Sequence, residues 1–323
     1  MKVDRVCWPI SVSGNYESRP AALIDALDKR APLNALREFH GRAALPGRRS
    51  WGSLLTRSTS TDSSAVLSPL FLRSELHTAT WIDLYDDWSL APEMNHGVRG
   101  LARMGYRELR RVAPDALITV NTAYMRDMLS PLPAVVIPNG VDPLIASCPR
   151  AESAASRLVM IGNFFDGRTD WDLMAELVRS NPADQAVIYG VTDSVVARLA
   201  RRGVTAGPQV LLRPRTPLPE ILQSLGPTSV VAIPHRVWDY TMSQDLMKAY
   251  QAVAAGIRII LPAELAPPTI PLEYLYLLGP GADIGVVMSD ALAGGQIDDV
   301  ARREFAAANS WDIRASQIEE LLS

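Results

Sequence analysis

Twice along this chain, short apolar runs of strand length alternate with segments of helical spacing, and this alternation narrows the choice of folds more than any other feature. In the first stretch, residues 3–10 read as a strand and 20–29 as a helix with Ala22, Leu23, Ala26 and Leu27 turned inward. Short strands are expected at 65–67 and 80–84, a helix with exposed arginines at 95–113, a strand at 116–120, a helix at 122–129 and a strand at 134–137. Residues 143–156, with Ser147, Pro149, Ser153 and Ser156, read as a linker. The second stretch offers strands at 157–161, 185–189, 210–212, 230–233 and 258–261, interleaved with helices at 171–179, 193–201, 218–225 and 245–255. More helix is expected at 288–293 and 300–322. Strands separated by crossover helices pair in parallel and are covered on both faces. The expectation is an α/β chain of two doubly wound, Rossmann-like domains facing each other across a cleft. The first would span residues 1–143 and the second 144–308, with a terminal helix at 309–323 packing back towards the first.

Composition sets limits on function. The net charge of −3 gives no general attraction to polyanions. Between Lys29 and Arg57, however, Lys29, Arg30, Arg37, Arg42, Arg48, Arg49 and Arg57 face Glu38 alone. Trp51, Leu54 and Leu55 lie in the same run, so residues 29–57 are a candidate for peripheral contact with an anionic membrane. Nucleic acid would also be met by such a run, and a solvated loop is the plain alternative. The two cysteines, Cys7 and Cys148, are far apart, and His40, His77, His96 and His235 show no close ligand spacing, so neither a disulfide framework nor a metal site is expected. No apolar run reaches bilayer length, and residues 1–4 do not open a signal peptide. The chain reads as cytoplasmic.

The densest chemistry lies in Ser243–Gly256, followed at once by the apolar run 257–261. Leu246, Met247, Tyr250, Val253 and Ala254 have helical spacing, and Gly256 stands where a helix end needs a left-handed residue. Lys248 and Gln251, three apart, share a face: a cation for a phosphate and an amide for hydroxyls. This segment resembles the donor-binding helix of GT-B glycosyltransferases. Four others match the same family in the same order: Asp83–Trp88, Val136–Asp142 (the IPNGVD turn), Ile161–Asp170 and Asn309–Arg314. The first 75 residues match poorly. Within that fold the chain is similar to bacterial glycosyltransferase family 4-like enzymes, and its Met247-Lys248-x-x-Gln251 pattern resembles xanthan-type glucuronosyltransferases.

The resemblance implies a nucleotide-sugar donor, UDP-linked by default, and a hydroxyl acceptor that the chain does not identify. Ligands of open α/β sheets sit beyond the carboxyl ends of the strands. Gly162 and Gly167 would allow close backbone approach there, Gly190 ends the next strand beside them, and Arg168 would clamp a diphosphate. Arg213 and its neighbours would hold the base, while Tyr240, Ser243, Met247, Lys248 and Gln251 would complete the donor pocket. Retaining members usually carry two glutamates on this helix; the matching positions here are Ser243 and Gln251, which points to the inverting members. Inversion needs one general base. Asp86 and Asp87, read as ending a strand and so pointing oppositely, are the candidates, Asp87 slightly preferred, with Glu17 in reserve. No metal and no cofactor beyond the donor is expected. Two rivals remain: a GT-B protein that binds sugar or nucleotide without turnover, and a transferase acting on a modified nucleic-acid base.

Overall fold

The computed structural model describes residues 5–7, 18–30, 64–70, 76–77, 79–148, 151 and 155–323. Glu17, and the basic run apart from Lys29 and Arg30, lie outside these residues, as does most of the expected strand at 3–10. The chain divides into two compact units. One comprises Met1–Asn139, Ser243–Asp245 and Trp311–Ser323; the other comprises Gly140–Met242 and Leu246–Ser310.

In the first unit, β1 (Arg5–Cys7), β2 (Ser64–Val66), β3 (Ala79–Leu84), β4 (Leu117–Val120) and β5 (Ala134–Val136) form a parallel sheet in that order. The pleat sends alternate side chains to opposite faces. Ala65, Leu67 and Trp81 pack with α1 (Arg19–Arg30) and α11 (Trp311–Leu321), whose Leu23, Leu27, Ala315 and Ile318 are buried. Val66, Ile82 and Leu84 pack on the other face against α2 (His96–Val112) and α3 (Ala123–Leu129). Asn95 caps α2 by accepting the Val98 N–H, and Thr122 caps α3 through Met125. Arg30, one of the two described cations of the basic run, pairs with Glu319 of α11 at 2.8 Å.

A polar network runs through the interior of this unit. Arg19, 2% exposed, makes a two-pronged pair with Asp83, its Nε and Nη2 donating at 2.9 and 2.8 Å. Asp83 also accepts from the Thr119 hydroxyl at 2.6 Å, which in turn accepts from the Trp81 indole at 2.8 Å. Arg19 reaches Asn139 as well, whose own amide groups bond to Asp245. Burial alone would lower the Arg19 pKa, but Asp83, with Asp245 and Asp86 behind it, outweighs burial and holds the proton more firmly than usual.

The second unit has six parallel strands: β6 (Arg157–Ile161), β7 (Gln185–Tyr189), β8 (Val210–Arg213), β9 (Ser229–Ala232), β10 (Arg258–Pro262) and β11 (Leu275–Leu278). Their order is β11-β10-β9-β6-β7-β8, so the direction of winding reverses between β6 and β9. One face packs on α6 (Leu218–Gln223), α8 (Met247–Ala254) and α10 (Asp299–Ala308); the other packs on α4 (Trp171–Arg179), α5 (Asp193–Ala200) and α9 (Ile284–Ala293). Gly256 (φ 80°) ends α8 as expected, with Ile257 N–H bonded to Ala252 O and Gly256 N–H to Val253 O.

The helix expected over 300–322 divides at Asn309 and Ser310, where the terminal helix is expected to start: the Asn309 amide turns back onto Phe305 O, and its carbonyl accepts the Val141 N–H. Two expectations about elements change. The helix expected from 245 begins at Met247, because Ser243–Asp245 joins the first unit, and the one-turn α7 (Asp239–Met242) precedes it. Strand β11 carries no clear alternation and was not expected. Among the described residues, no helix is long and apolar enough to cross a membrane.

Candidate functional site

The candidate residues fall into two groups, one in each unit. In the second unit the group forms at the carboxyl ends of β6, β7 and β9, where the strand order reverses. This is the place at which open parallel sheets leave a crevice for ligands. The chain leaves β6 at Gly162, whose N–H bonds to Tyr189 O at the end of β7. Gly190 has φ +94°, and a Cβ there would lie 1.9 Å from the Gly162 carbonyl oxygen. Two backbones therefore touch where no side chain fits. The Gly190 N–H bonds to Arg213 O, tying in β8, while the Arg213 side chain is exposed.

Lys248, on the first turn of α8, brings its Nζ 2.8 Å from where a Cβ on Gly162 would stand. The absence of a side chain at Gly162 thus makes room for an ammonium group. The loop after β6 and the segment after β9 are stitched together: Asp170 N–H bonds to Pro234 O, Arg236 N–H bonds to Arg168 O, and Thr169 bridges His235. Arg168 lies over the Phe165 ring at 4.8 Å and reaches the buried Tyr240 hydroxyl at 3.5 Å. Trp238 packs on Tyr240 and bonds through its indole to Gly167 O.

These contacts place three basic groups together. Burial, and then the charge of Arg168, push the Lys248 ammonium down to about 7. His235 is driven well below its ordinary value, first by burial and then by Lys248 and Arg168. Among the described residues Lys248 forms no ion pair. Basic side chains gathered where strands end and backbones approach closely are suited to an anion with several oxygens. Gln251 is buried one turn beyond Lys248, and Met247 is half-buried beside it. The sequence marks the loop Pro234–Tyr240 as a candidate donor loop without giving His235 a role; its one local signal is its place in that loop, two residues past the expected strand at 230–233.

The second group lies in the first unit. Asp86 and Asp87 do not end β3, which stops at Leu84, and they do not alternate as strand residues. Asp86 is left-handed (φ 54°), a strained geometry for a residue with a side chain. Its carboxylate is half-buried: Oδ1 accepts from the Asn121 amide at 3.1 Å and Oδ2 from the Gln244 amide at 3.3 Å. The Tyr106 hydroxyl, pushed well up by burial and then by Asp87, donates to Asp86 O at 3.2 Å. Asp87 is 5% exposed. Its Oδ1 accepts the Ser89 N–H, and its own N–H bonds to Ser243 Oγ at 2.8 Å. Ser243, expected in the donor pocket, is wholly buried in the first unit and serves this turn.

Two parallel sheets, each layered by helices on both faces, define a pair of Rossmann-like domains, the GT-B fold. No protein-family model matches the chain, and no curated protein does. Solved structures do. Anabaena HepE, determined with UDP, is similar over 100% of this chain and 99% of its own, with a TM-score of 0.66 at 13% identity. The lipopolysaccharide outer core galactosyltransferase WaaB matches over 99% and 98%, with a TM-score of 0.59 at 11% identity. A Listeria monocytogenes protein assigned as a UDP-N-acetylglucosamine 2-epimerase matches over 99% and 95%, with a TM-score of 0.51 at 12% identity. At such identities the likeness establishes the fold, and function has to be argued from the site.

Proposed function

We propose that this protein is a glycosyltransferase that moves a sugar from a nucleotide diphosphate, UDP by preference, to an acceptor hydroxyl, with inversion and without a metal ion. The observation that carries this reading is the grouping of Lys248, Arg168 and His235 at the strand-order reversal of the second unit. A diphosphate is a ligand that such a group of basic side chains would bind, and HepE, of the same fold, was determined with UDP. Lys248 and Arg168 would hold the leaving phosphates, the role a divalent ion plays elsewhere. Gln251 would reach sugar hydroxyls through its amide.

Replacing Lys248 with alanine is expected to weaken UDP binding by more than about tenfold, or ~1.4 kcal/mol. Calorimetry checks this, and unchanged affinity would remove Lys248 from the site. Transfer is expected to proceed undiminished in EDTA. Activity lost to the chelator and restored by Mg²⁺ or Mn²⁺ would overturn the metal-free mechanism.

Inversion is supported by what stands at the two carboxylate positions of retaining relatives: Ser243, which is engaged with Asp87, and the neutral Gln251. An in-line displacement by a base-activated hydroxyl turns an α-linked donor into a β-linked product. The anomeric proton coupling of the product reports the outcome directly, and an α-linked product would end the inverting assignment. A protein that binds the donor but gives neither transfer nor slow hydrolysis would instead be a GT-B binding module.

A further inference from the structure

We propose that His235 completes the anion site with Lys248 and Arg168, and that a diphosphate entering this site is bound together with protons drawn from solvent onto Lys248 and His235. The proposal rests on the donor reading above and deepens it. His235 is fixed beside Arg168 by the bridge to Thr169 and by the Arg236–Arg168 backbone bond at 2.8 Å. Its Nδ1 is buried and has no hydrogen-bond partner among the described residues. Lys248 occupies the space left by Gly162, next to the uncharged Phe164 ring.

The charges that act on Lys248 come from Arg168, and those that act on His235 come from Lys248 and Arg168; all are positive. Half-buried basic groups repel one another and lose hydration, so without an anion the neutral forms of Lys248 and His235 are favoured. Lys248, held at about 7, is mostly neutral at pH 8 when no anion is bound. A diphosphate reverses the sign of the local field and restores the charged forms. Ligand binding and proton binding are then linked, each strengthening the other. The Arg168 guanidinium supplies a fixed charge.

The test is isothermal titration calorimetry of the full chain at pH 8 in buffers of different ionisation enthalpy, with UDP and, separately, sodium sulfate as probes. Neither probe titrates appreciably at this pH, so any proton that moves belongs to the protein. The heat is expected to vary with buffer enthalpy by a slope of about one proton taken up per ligand. Lys248→Arg, permanently charged, should bind UDP with most of that uptake gone. His235→Gln should weaken UDP and lower the remaining uptake. UDP bound with no dependence on buffer would overturn the proposal while leaving the donor reading intact. Sulfate bound with uptake, and UDP not bound, would support proton linkage and overturn the nucleotide reading. Failure of both probes to bind would overturn both. Unchanged affinity and uptake in His235→Gln would remove His235 from the site.

Discussion

Asp86→Asn is expected to lower glycosyl transfer by at least about a hundredfold while leaving UDP affinity nearly unchanged, because a general base acts in the transition state and not in donor binding. The change keeps the shape of the side chain and removes its basicity. Asp86 is favoured over Asp87 for a geometric reason. Its carboxylate is half-buried and oriented by the Asn121 and Gln244 amides on a strained backbone. Asp87 is enclosed, with 5% exposure, and its carboxylate serves the turn by accepting the Ser89 N–H. An asparagine at position 87 still offers an oxygen to Ser89, so Asp87→Asn should keep near-normal turnover. The two variants assayed side by side decide the matter. Loss confined to Asp87→Asn would reverse the assignment, and normal rates in both would send the search to Glu17.

Asp83→Ala should cost about 3–5 kcal/mol of stability, since it leaves the Arg19 guanidinium buried and uncompensated. The partners lie 64 residues apart in the chain, and the pair is sealed from water, with exposures of 2% and 0%. Thr119 and Trp81 are linked to the same carboxylate and lose their order with it. Urea unfolding followed by tryptophan fluorescence measures the loss. The double variant Arg19→Met with Asp83→Leu should recover most of it, because no charge is then left behind. A loss below about 1 kcal/mol in Asp83→Ala would mean that Arg19 finds water or another acceptor when the carboxylate is gone.

Much of the architecture was legible because it is local. Helices at 171–179 and strands at 157–161 and 185–189 follow from apolar spacing within one segment, and their observed bounds agree. Gly256 announces the end of α8, since only a residue without a side chain takes φ 80° freely. Element ends were less secure. The break at Asn309 and Ser310, held by a bond to Val141, was legible through the resemblance of Asn309–Arg314 and not through helical periodicity. The late start of α8 depends on Asp245 bonding to Asn139, 106 residues away.

For the candidate site, sequence by itself determined the residue types and the loops that carry them: Gly162 and Arg168 after one strand, Gly190 after the next, Lys248 on its helix. Each follows from chain order and from chemistry that a residue brings wherever it sits. Only the tertiary structure decided which groups feel one another. It set His235 beside Arg168 and Lys248, gave Ser243 to the Asp87 turn, and turned Asp86 left-handed between two amides. The physical reason is one of range. Propensity and periodicity act over a few neighbouring residues, whereas charge and hydrogen bonding act through space over a few ångströms, and folding alone decides which distant residues come that close.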